Sequence, residues 1–215
     1  MTDKWHLIGE EGLHYSGTMS ASISHELKNV FAIINENSGL LQDLVMMQEK
    51  GMTLQPAQLQ QVSELIRKQV KRGDLIIKTM NSFAHLTDTP TAAIEPRPFL
   101  DLACRLSQRL ANMRRITVEV DHDSNPPPFT ANPFLLANLL WRCLELSFEY
   151  VQPDSLITLR ATTDDHKITL AICGLEPDRT STTFFDQTTV LLAETINCSI
   201  TAVIEQGAIH IDVNK

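Results

Sequence analysis

The feature that most constrains this chain is an apolar repeat near its N-terminus. Ile23, Leu27, Val30, Ile34, Leu41 and Leu44, with Asn37 filling the one gap, step 4, 3, 4, 3, 4, 3 along the sequence. That is a heptad a/d seam, which places one stripe of a long helix against a partner helix. Asn37 sits on the seam, where a polar residue can fix register at some cost in stability. Lys50 to Pro56 is a break: Gly51 suits a helix C-cap and Pro56 the first turn of the next helix. A second, weaker seam follows through Val62, Ile66, Gln69, Gly73, Ile76, Met80 and Phe83. These seams predict two helices of about 30 residues each, joined as an antiparallel hairpin. Such a hairpin cannot bury its seams alone, so pairing of two copies into a four-helix bundle is expected, making the chain a homodimer.

The period changes after a stretch rich in proline and threonine, Thr87 to Pro98. Phe99, Leu102, Leu106, Leu110 and Met113 mark a helix. Ile116 to Val120 alternates as a strand, and Asp121 to Pro128 reads as a loop. Asn132 is placed to cap a helix that has Pro133 at its first position and runs to about Tyr150. Strands near 155–163 and 167–173, a helix near 187–196 and strands near 199–205 and 208–213 complete the order, with a tight turn at Gln206-Gly207. The expected architecture is α+β: residues 1–88 a helical hairpin, 89–98 a linker, and 99–215 a mostly antiparallel sheet covered by helices on one face.

Composition narrows the function. The net charge is −8, which argues against nucleic acid as the main partner, because such binders need a clustered basic surface. No apolar run is long enough to span a membrane, and the N-terminal stretch lacks the layout of a signal peptide. Cys104, Cys143, Cys173 and Cys198 form no C-x-x-C pair and read as buried thiols of a cytoplasmic protein. The seven histidines show no metal-ligand spacing, so no metal site is expected.

One polar stretch stands out, Ile23-Ser24-His25-Glu26-Leu27-Lys28-Asn29. His25 lies two residues from each of two seam positions and therefore off the buried stripe. Asn29, at i+4, shares its face. Glu26 points about 100° away by helix geometry, close enough to bias the imidazole tautomer directly or through water. An imidazole so placed can act as a nucleophile at neutral pH. Residue types alone make it no more than a solvated histidine beside a glutamate.

The stretch from Met19 to Leu44 resembles the dimerisation and phosphotransfer helix of sensor histidine kinases, whose H-E-x-x-N motif is matched by His25, Glu26 and Asn29. The resemblance implies that His25 accepts a phosphoryl group, that Glu26 acts as general base or orienter, and that Asn29 can position a water for phosphatase chemistry. Lys28 is a candidate for steering an acidic partner. Val30 departs from the family, which usually has proline there; a straighter helix is implied. Residues 97–151 resemble the family's ATP-binding domain, but the nucleotide chemistry is missing. Arg142 stands where the Mg²⁺-binding Asn is expected, and a fixed cation there repels a metal. Glu145 matches a nearby acid of the family. Ile172 replaces the adenine-binding Asp of D-x-G-x-G, and Glu176 its second Gly. Gln187 to Leu192 contains none of the glycines of the ATP lid, and the loop from Leu175 to Thr183 is short for a lid.

The expectation is an ATPase-like sandwich without a lid, with neither ATP nor an intrinsic cofactor. The chain then resembles dimeric histidine phosphotransferases built on a degenerate kinase fold. Response-regulator receiver domains are the implied partners, bringing their own Mg²⁺. The alternatives are a receiver phosphatase using Asn29, a non-enzymatic pseudokinase scaffold, and a kinase with an unusual pocket.

Overall fold

The computed structural model describes residues 2–123, 126–176 and 185–214. The chain divides into two compact units, Ser20–Asn81 and the combination of Met1–Met19 with Ser82–Lys215.

Two long helices supply the first unit, α1 (Thr2–Glu49) and α2 (Pro56–Ala84), of 48 and 29 residues. The expected break holds: Gly51 has φ 83° and α2 starts at Pro56. Within this unit the buried seam of α1 is Ile23, Val30, Asn37 and Leu44; Leu27, Ile34 and Leu41 are half-buried. Phe31 is 63% and Val45 51% exposed. Leu27, Phe31, Ile34, Leu41 and Val45 recur at helical spacing and form a second apolar stripe beside the first. On α2 the seam runs through Val62, Gln69, Gly73, Ile76 and Thr79. Met80, expected on it, is 40% exposed, and Thr79 takes the inward place by donating its hydroxyl to the Leu75 carbonyl at 3.0 Å. Asn37 similarly turns its amide to the Ile33 carbonyl, at 2.7 Å. Both polar seam residues are thus satisfied by their own helix, whereas Gln69 Oε1 is buried without a partner.

In the second unit, α1 is longer than its heptad suggested. Ile8, Gly12, Tyr15 and Met19 continue the 4–3–4 stepping and are buried. Part of their cover comes from outside the helical hairpin. Tyr15 packs against Phe83 (ring centroids 5.4 Å apart, edge-on), Phe134 (5.7 Å) and Trp141 (6.3 Å). Gly12 permits this packing: a Cβ there would come within 3.3 Å of the Phe134 ring.

The rest of the unit is an α/β sandwich. The stretch 89–98, expected as a linker, contains one short strand and the start of a helix. Its residues Ala92–Ile94 form β1, paired antiparallel with β3 (Phe129–Ala131), and helix α3 (Pro96–Met113) begins three residues before Phe99. Three-residue strands are too short for a visible alternation, which is why both went unread. A five-stranded sheet is built from β2 (Thr117–Val120), β4 (Leu156–Thr163), β5 (Lys167–Cys173), β6 (Cys198–Val203) and β7 (Ala208–Asn214), in the order β2-β4-β5-β7-β6. Among the described strands only β2 and β4 pair in parallel. The helices α3, α4 (Pro133–Ser147) and α5 (Gln187–Thr195) complete the layer. Ile157, Leu159, Ile168, Leu170, Ile172, Ile209 and Ile211 from the sheet, with Leu136, Leu139, Leu140 and Leu144 from α4, are wholly removed from solvent. That continuous apolar interior is the main stabilising element of the unit. α4 ends at Ser147, three residues short of the expected Tyr150, and its cap is as expected: Asn132 Oδ1 accepts from the Leu135 amide at 2.9 Å.

Candidate functional site

His25 lies on the exposed outer face of α1, opposite the buried seam. Its ring has no hydrogen-bond or ion-pair partner among the described residues. Lys28 and Asn29 are exposed beside it, one turn on. Glu26 is half-buried and turns toward α2, with its Oε2 4.0 Å from Arg72 Nη2. Sequence spacing could not pair Glu26 with a residue 46 positions away; the hairpin does. The carboxylate thus faces a cation of α2, while the imidazole stands on the preceding residue. An open imidazole with a carboxylate and an amide nearby can accept a phosphoryl group or align a water.

The other positions singled out in the sequence lie in the α/β unit, and the structure gives each a local role. Arg142 on α4 is part-buried. It donates Nε to Thr189 Oγ1 (2.9 Å) and Nη2 to Asp186 Oδ2 (2.5 Å), and pairs through Nη1 with Glu11 Oε2 (2.7 Å). Asp186 is also the N-cap of α5, accepting from the Thr189 amide at 2.8 Å and its hydroxyl at 2.6 Å. Burial raises the Asp186 carboxyl, but the two Thr189 bonds and the Arg142 guanidinium outweigh it and hold the group below the usual carboxylate range. One guanidinium therefore ties together the N-terminal segment of α1, the middle of α4 and the start of α5. Glu145, one turn further along α4, is exposed.

Asn138, one turn before Arg142, is fully buried, and neither side-chain amide atom finds a partner among the described residues. Ile172 is wholly buried in the sheet, paired in register with Ile209. Gly174, retained from the D-x-G-x-G pattern, has φ 99°, and a Cβ there would overlap the Leu156 carbonyl. Its presence follows from this backbone crossing alone. Glu176 follows in the turn, its amide bonded to the Tyr150 carbonyl at 3.1 Å. The expected short lid loop, 175–183, lies largely outside the described residues. Among the described residues no group of three or more His, Cys, Asp or Glu side chains is placed to hold a metal ion, and no helix is long and apolar enough to cross a membrane. Cys143 and Cys198 are buried, and burial pushes each thiol up to about 12.

A helical hairpin followed by this five-stranded α/β sandwich defines a histidine-kinase-like fold. The likeness is to the Acinetobacter baumannii histidine kinase AdeS, at TM-score 0.50 and 10% identity, covering 88% of this chain and 97% of that one. Looser likenesses are to a bacterial phosphotransferase (TM-score 0.44, 13% identity, 93% of this chain and 95% of that one) and to the histidine kinase ThkA in complex with the response regulator TrrA (0.46, 15%, 96% and 64%). No family model and no curated protein matches the chain.

Proposed function

We propose that this chain is a histidine phosphotransfer protein of a two-component phosphorelay, with His25 as the phosphoryl acceptor. The observation that carries the reading is the contrast between two sites on a kinase-like fold. His25 is open to solvent in its H-E-x-x-N setting. Arg142, standing where a metal-binding Asn is expected, is already engaged by Glu11 and Asp186.

In the proposed reaction, an imidazole nitrogen of His25 attacks the phosphorus of a receiver aspartyl phosphate in line. The P–O bond to the receiver carboxylate breaks, and the imidazole proton leaves. The receiver holds the Mg²⁺ that balances the phosphoryl charge. Glu26 orients the ring or takes its proton, Lys28 steers the acidic receiver face, and the phosphoryl group passes on to a second receiver by the reverse step. The chain needs no ATP and no metal of its own. A homodimer completes the bundle, supported by the second apolar stripe, on which Phe31 and Val45 are exposed and Leu27, Ile34 and Leu41 half-buried within the described chain.

The test mixes the protein with a radiolabelled phosphorylated receiver, beside a labelled-ATP control. Transfer of label to the wild type and not to His25→Ala is expected. Label that never arrives, or that reaches His25→Ala equally, defeats the reading, and label taken from ATP defeats the absence of kinase activity. A phosphatase reading is favoured by one feature, the exposed and unpartnered Asn29 beside His25. It predicts free phosphate without stable label, lost in Asn29→Ala.

A further inference from the structure

A cavity of about 460 Å³ opens in the α/β unit, walled by β1, by one face of α3 and by the turn that follows α2. That volume falls within the range of ligand sites. Its construction is that of a peptide groove. Among the described residues β1 has a ladder partner on one side only, because its sheet contains β1 and β3. An unpaired strand edge is a template for another strand. Two of its three side chains, Ala92 and Ala93, are small and leave room for a second backbone to approach, and Ile94 adds an apolar contact.

The facing wall is α3. Phe99 and Leu102 give it an apolar surface, and Leu86 from the turn adds to it. Two charges of opposite sign stand along this wall, one at the start of α3 and one near its middle. Glu95 stands at the N-cap of α3 and does not cap it with its side chain; Arg105 lies ten residues further along. Both are exposed and line the cavity, and neither has an ion-pair partner among the described residues. Ten helical residues span about 15 Å, the length of about five residues of extended chain.

From these features we infer that the groove between β1 and α3 binds an extended peptide segment of a partner protein by strand addition to β1. The segment has an apolar centre, an acidic residue at the Arg105 end and a basic residue at the Glu95 end. Strand addition supplies main-chain hydrogen bonds, and the pockets and end charges supply selectivity. The inference is independent of the chemistry at His25.

The experiment uses the full chain and synthetic peptides of about seven residues, alternating valine and threonine through the centre, so that the peptide extends beyond the groove at both ends. One end is aspartate and the other lysine, made in both chain directions, with neutral-ended controls. Fluorescence anisotropy is expected to show one direction binding at least tenfold more tightly than the controls. Hydrogen exchange is expected to slow at β1 when that peptide is present. Arg105→Glu should weaken the peptide at least tenfold and favour a partner with lysine at that end. Arg105→Gln, a milder change, should weaken it without that reversal. Failure of both directions to bind, binding without slowed exchange at β1, or binding unaffected by Arg105→Glu would each overturn the inference.

Discussion

Arg142 and Glu11 stand 2.7 Å apart, 131 positions apart in the chain, and both side chains are largely buried. The pair joins the N-terminal segment of α1 to α4, and Asp186 adds α5 to the same guanidinium. A cation that reads from sequence as the loss of a metal site is, in the folded chain, the centre of a structural knot.

Replacing Arg142 by Ala leaves Glu11 with an uncompensated, poorly hydrated charge. Removing one partner of a buried pair is strongly destabilising; partial exposure reduces the cost here to about 2 kcal/mol. Urea denaturation of Arg142→Ala should show that loss. A double-mutant cycle with Glu11→Gln should show coupling. Additive effects would mean the pair is not energetically joined.

Asp186 makes part of this knot depend on pH. Its folded pKa is lowered, so its contribution is fully present above the ordinary aspartate value of about 3.9. It is lost as the pH falls through the depressed folded value. Wild-type stability should therefore drop more steeply below about pH 4 than that of Asp186→Asn. Thermal melts across the acid range check the sign, and parallel curves would contradict it.

Asn138 costs stability where it stands, because both amide atoms are buried and unpartnered. Asn138→Leu removes that penalty at similar volume and should raise stability by about 1 kcal/mol. A decrease in the measured unfolding free energy would show that the amide has a use within the fold.

The second apolar stripe on α1 should be what holds a dimer together. Phe31→Asp places a charge on a residue that is 63% exposed in the single chain. It should leave helix content unchanged by circular dichroism while shifting sedimentation from dimer to monomer. A wild type that sediments as a monomer removes the basis for a four-helix bundle.

At the proposed acceptor, Glu26→Gln should slow phosphoryl transfer by about 100-fold, the lower range for losing acid–base assistance. Stability should change by less than about 0.5 kcal/mol, because the Arg72 contact is a loose surface pair. Single-turnover transfer kinetics with the labelled receiver separate the two effects. An unchanged rate would leave Glu26 without a role in the step.

Periodicity alone determined that residues 23–44 and 62–83 are helices with one buried stripe, and that Gly51 and Pro56 end one and start the other. It also placed His25 off that stripe. These are local properties, set by which side chains recur on one face of a helix. The alternation of the longer strands and the Asn132-Pro133 cap are local in the same sense. Elsewhere the local pattern carries no signature, and long-range pairing sets the outcome. Residues 92–94 and 129–131 are strands because they pair with each other, not because three residues alternate. Ile8, Tyr15 and Met19 extend a heptad stripe, but Tyr15 packs on Phe83 at the end of α2 and on Phe134 and Trp141 of the α/β sandwich. Thr79 displaces Met80 from the α2 seam because its hydroxyl can bond its own helix. Arg142, Glu11 and Asp186 meet across three elements, and charges brought together from distant positions leave no spacing in the sequence to read.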